Sequence, residues 1–118
     1  MRILLIGSGG EEKISRSQLK EIAHAFGNLV KAVVDVEMGV MAVGGELHSD
    51  EEAFLLEKGS QQRNLWGINL YPELQENEFI EFDSVINLRP AQGNRTRGID
   101  DIRIRRKIKE IVTSLILP

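Results

Sequence analysis

The sequence predicts an α+β fold: a single domain over residues 1–118, built on a mostly antiparallel sheet of about five strands with helices packed on one face. Three observations carry this. Short apolar runs recur at 2–6, 29–36, 40–43, 65–71 and 79–88, and their β-branched and aromatic residues suit a pleated surface. Apolar residues spaced by three and four mark helices at 15–26 and after Asp101, and a capping-box spacing opens another at 50–58. The resulting order, β-α-β-β-α-β-β-α, holds hairpin-like strands and helices in separate places, as antiparallel sheets do.

Taken in order, Arg2 to Ile6 is a short strand broken by Gly7, Gly9 and Gly10. A strand followed by G-x-G resembles the start of a dinucleotide fingerprint, but Glu12 occupies the position that needs a third small residue. A turn is the simpler reading. In the first helix, Ser15 and Gln18 have capping-box spacing, and Leu19, Ile22, Ala23 and Phe26 form the buried stripe. His24 lies beside that stripe near the last turn, where a positive charge suits the helix dipole. Leu29 to Val36 and Val40 to Val43 form a hairpin around Glu37-Met38-Gly39. Ser49 and Glu52 predict a helix over 50–58 that stops at Gly59. Leu65 to Tyr71 is a strand in which Gly67 signals a bulge or a close approach by another group. Trp66 and Tyr71 are read as packing residues.

The stretch 79–98, FIEFDSVINLRPAQGNRTRG, begins as a strand and ends as a polar loop that a fold alone would not require. Pro90 removes a ladder donor. Asp100 and Asp101 then cap a last helix whose buried stripe is Ile104, Ile108, Ile111, Val112, Leu115 and Ile116.

Composition narrows the function classes. The net charge is −3, and there is no cysteine, so thiolate catalysis and sulfur-ligated zinc are excluded. No window approaches the roughly 18 apolar residues of a membrane span, and MRILLIGSGG turns polar too soon for a signal peptide. These features predict a cytoplasmic protein with no membrane partner. Charge is segregated: 35–57 holds acids without Lys or Arg, whereas 89–109 is dominated by Arg and Lys. Four readings fit the pair: solvated faces, an internal contact, a homodimer surface, or a patch that meets an anion.

The candidate site residues follow from these patterns. Glu46 and His48 alternate along an extended segment and would share a face. They are the candidate catalytic pair, as base and orienter. With Asp35 or Asp50 they could also hold a metal, but the spacing matches no established metal motif. Asp35, Asn69, Asp83, Asn87, Arg89, Gln92, Asn94, Arg95 and Arg97 are the candidate ligand-binding residues. Asn69 and Asn87 are amides within apolar strands, and each must find partners or line a pocket. Arginine forks bind carboxylate or phosphate.

The segments GGELH, LWGINLYP and RPAQGNR, with the strand ending in Asp35, resemble those of a family of small prokaryotic proteins of unknown function. The resemblance runs from about Leu29 onward. It implies no activity and no cofactor.

Three functions compete. A site for an anionic small molecule, with or without catalysis, would join the 46–48 segment to the 89–97 loop. A nucleic-acid binder would use Arg95, Arg97, Arg103, Arg105 and Arg106, although the chain is acidic and poor in aromatics for base stacking. A homo-oligomeric interaction protein would match its acidic surface to its basic one. The first alone uses both the polar loop and the Glu46–His48 pair.

Overall fold

The central strands carry apolar side chains on both parities, and that decides the architecture. The computed structural model describes residues 2–118, the side chain of Glu76 excepted. Its elements are β1 (Leu4–Ile6), β2 (Ile14–Ser15), α1 (Arg16–His24), β3 (Val30–Asp35), β4 (Val40–Val43), α2 (His48–Glu57), β5 (Leu65–Leu70), β6 (Ile80–Glu81), α3 (Ile102–Leu115) and β7 (Ile116–Leu117). Five strands form one antiparallel sheet in the order β1-β4-β3-β5-β6. β2 and β7 pair in parallel as a separate two-stranded ribbon.

The α+β class and the antiparallel sheet are as expected, but the helices do not all share a face. α1 and α3 bury Leu19, Ala23, Ile108, Ile111 and Val112 against Ala32, Val34, Met41, Val43, Trp66 and Ile68. α2 lies on the opposite face, where Leu55 packs with Val33, Ala42 and Leu65. β3 reads VKAVVD, and five of its six residues are buried. A strand buried on both parities needs cover on both sides.

Local signals set most boundaries. α1 starts at its predicted capping box: Gln18 N–H donates to Ser15 Oγ at 3.0 Å, and Ser15 N–H donates to Gln18 Oε1 at 2.9 Å. Asp101 caps α3 by accepting from Arg103 N–H at 2.8 Å. α2 starts two residues before the predicted 50: Leu47 holds the cap position, and no side chain caps the turn. The β3–β4 turn closes through Gly39, which has φ of +70° and donates to Asp35 O at 2.9 Å.

The predicted long strand 79–88 is the clearest correction. Only Ile80–Glu81 pairs with β5. Ser84 then caps a 3-10 turn, Val85–Asn87, by accepting from Ile86 N–H. Beside Gly67 the side chain of Asn87 takes the place of a strand. It accepts from Gly67 N–H at 2.8 Å and donates to Gly67 O at 2.9 Å. Gly67 is needed there because a Cβ would lie 2.6 Å from Ser84 Cβ.

Candidate functional site

β3, β5 and β6 present a row of polar side chains on the α2 face. Lys31 lies opposite Asn69, and Asn69 opposite Glu81; directly paired residues point the same way. With strands about 4.8 Å apart, the row is roughly 10 Å long. A hollow of about 310 Å³ opens beside it. Its polar lining is Lys31, His48, Ser49, Asn69, Asp83, Ser84 and Arg97, and its apolar lining includes Leu47 and Val85.

His48 is the first residue of α2 and half-buried. Its Nε2 lies 2.8 Å from Ile68 O. A carbonyl only accepts, so Nε2 carries the proton and donates. In the neutral ring Nδ1 is then the acceptor, and no donor among the described residues reaches it. Burial, the largest influence, lowers the imidazole pKa from 6.5; the Ile68 hydrogen bond opposes this, Lys31 and Arg97 add to it, and Asp83 opposes it. The ring is therefore neutral at pH 7, with one nitrogen fixed on the backbone and the other able to take a proton.

The rest of the lining is held in place. Asn69 Nδ2 donates to Glu81 Oε1 at 2.9 Å and to Asp83 O at 3.2 Å. Those two acceptors fix which end of the amide is which, and they leave Oδ1 buried without a donor. Arg97 Nε donates to Asp83 Oδ1 at 2.8 Å. Lys31 Nζ donates to Glu46 O at 2.8 Å. The first two amides of α2, those of His48 and Ser49, have no intrahelical acceptor, and no side chain caps the turn.

Of the candidates read from the sequence, His48, Asn69, Asp83 and Arg97 line this hollow. The others lie outside it. Glu46 is exposed and contributes its carbonyl rather than its carboxylate. Asp35 is buried four residues from Lys31, about 13 Å along β3. It accepts from Glu37 N–H, Met38 N–H and Ser60 Oγ, and so builds the hairpin turn. Asn87 is committed to Gly67 and to Arg97 O. Arg89 is buried near the far end of β5, over the Trp66 ring. It donates to Ile86 O, Gln62 O and Leu65 O, and its Nη2 stands 3.8 Å from Glu52. Burial lowers its pKa from the ordinary guanidinium value, against the pull of Glu52.

The loop around Arg89 is tied internally as well. Asn94 Nδ2 reaches the carbonyls of Asn87, Thr96 and Gly98. Gln92 Nε2 donates to Arg63 O, and Arg95 N–H donates to Asp100. Arg103, a candidate phosphate contact, is paired with Asp101.

Sequence reasoning missed Lys31, Ser49 and Ser84. Lys31 had a signal: it is the one cation in an apolar strand, in phase with Val33 and Asp35. Ser49 had a misleading one, because its capping-box spacing assigned it to a helix end that forms elsewhere.

Among the described residues no helix is long and apolar enough to cross a membrane, and no group of three His, Asp or Glu side chains could hold a metal ion. No curated protein and no solved structure matches the chain. A family model described as "Protein of unknown function (DUF5674)" matches residues 10–115, all but the first nine and the last three. The chain belongs to that family.

Proposed function

We propose that the hollow between α2 and the β5–β6 border binds a small anionic or polar ligand, and that His48 acts there as a proton acceptor. One observation carries the reading: an imidazole pinned through Nε2, with Nδ1 unclaimed, shares a concavity with Lys31 and Arg97. Cations and an uncapped helix start both favour a negative group. A neutral imidazole at pH 7 favours proton transfer over a fixed charge. Glu46 has no part in this chemistry, because its carboxylate is not in the lining. A cytoplasmic setting, where small anions are plentiful, belongs to the same proposal.

The test is a thermal-shift and ¹⁵N NMR titration with small carboxylates, phosphates and amino acids. A ligand at a hundred times its Kd should add about 2.7 kcal/mol of stability, a rise of several degrees in Tm. It should also move the amide signals of His48, Ser49 and Asn69. His48→Gln and Arg97→Ala should weaken binding while the chain stays folded. A panel in which no member perturbs those amides overturns the reading.

A further inference from the structure

Both signs of charge line the hollow. At the β3 side stand Lys31 and the first turn of α2, whose leading amides are uncapped. At the β6 side stand the Asp83–Arg97 ion pair, in which no described residue donates to Asp83 Oδ2, and Glu81 behind Asn69. Between them is Asn69, 7 % exposed, whose Oδ1 has no donor in the protein. Its amide end is committed to Glu81 and Asp83, so Oδ1, itself closed to solvent, can be satisfied only by a group that donates as the amide shifts toward the hollow. A simple carboxylate has no such group.

The rim adds a third requirement. Leu47 is 53 % exposed and Val85 62 % exposed, and both line the hollow. A donor deep inside, a negative group beside it and apolar surface at the mouth describe one kind of molecule.

Building on the anion-site reading above, we propose that this hollow takes a small zwitterion, an α-amino acid with an apolar side chain. Its carboxylate faces Lys31 and the start of α2. Its ammonium faces Asn69 Oδ1 and Asp83. Its side chain rests on Leu47 and Val85. A volume of about 310 Å³ accommodates a free amino acid but not a dinucleotide or a long peptide.

The experiment is a calorimetric and ¹⁵N NMR titration of the whole chain with four probes: L-leucine, 4-methylpentanoate, 3-methylbutylamine and inorganic phosphate. The second lacks the ammonium and the third lacks the carboxylate. Leucine is expected to bind at least about tenfold tighter than either, since each analogue forfeits hydrogen bonds to a charged group. Asp83→Asn should shrink that preference over 4-methylpentanoate, whereas Leu47→Ser should weaken both. Phosphate or 4-methylpentanoate binding as tightly as leucine overturns the zwitterion and leaves the anion site standing. Amine binding as tightly as leucine overturns the zwitterion too. No response from any probe removes both readings.

Discussion

Glu51 faces the sheet from α2 with no solvent exposure, and only one of its carboxyl oxygens finds a donor, Gly45 N–H at 3.0 Å. Burial raises its pKa well above 4.5, more than Gly45 and the charge of Lys31 lower it, with Asp50 adding to the rise. The sign of the stability effect follows. A carboxyl with a raised folded pKa contributes most below its unfolded value of 4.5, and that contribution fades as pH climbs toward the folded value. His48 acts oppositely, because its lowered pKa costs stability as pH falls through 6.5. Glu51→Gln keeps the shape and cannot ionise. Each pKa unit corresponds to about 1.4 kcal/mol, so the variant is expected to be more stable than the parent at pH 7 and equal to it near pH 4. Urea denaturation at the two pH values measures the difference. Equal stability at both would mean that the carboxyl carries no penalty.

At this scale the sequence was half legible. It marked Asn69 and Asn87 as amides that must either be satisfied or line a pocket, and each does one of these. It could not tell which, because the choice depends on where a 3-10 turn meets the sheet. Asp35 and Arg89 read as site residues for the same reason. A polar side chain that organises a turn or fills a strand border has the same signature as one that awaits a ligand.

Elements were read best where a local rule sets them. The Ser15–Gln18 box and the Asp101 cap are local. The start of α2 is not, since packing of Leu55 and Glu51 on the sheet overrides the Ser49 signal. Strand 79–88 failed on the same ground: its pattern suits a sheet, but Ser84 and Asn87 close on Gly67 and leave no room for a paired backbone. Gly67→Ala puts a methyl against Ser84 and is expected to cost about 1–3 kcal/mol by overpacking. Ser84→Gly in the same chain should restore part of that loss, despite removing a cap, and a double-mutant cycle in urea reads the coupling. Additive losses would mean that the two residues do not press on each other.

For the whole molecule, the radius of gyration of 12.9 Å is close to the roughly 13.5 Å expected of one domain of this length. The α+β class followed from the order of apolar runs. The two-sided cover of the sheet was also written in VMAV of β4, whose parity leaves neither face polar. What no local pattern could supply was the meeting of α2 with the β5–β6 border, which joins residues 31, 48, 69, 83 and 97 from separate stretches of chain. That meeting creates the hollow.

The amide of Asn87 has one more consequence. It stoppers the outer rim of β5 where β6 has already turned away. Without it, Gly67 would offer a bare N–H and C=O, a template on which a second molecule can add a strand. Asn87→Ala is therefore expected to convert a monodisperse solution into one whose light scattering grows with concentration and time, beyond the loss of about 1–3 kcal/mol for each buried group left unpaired. Scattering that stays flat while stability falls would show that neighbouring chain reseals the rim.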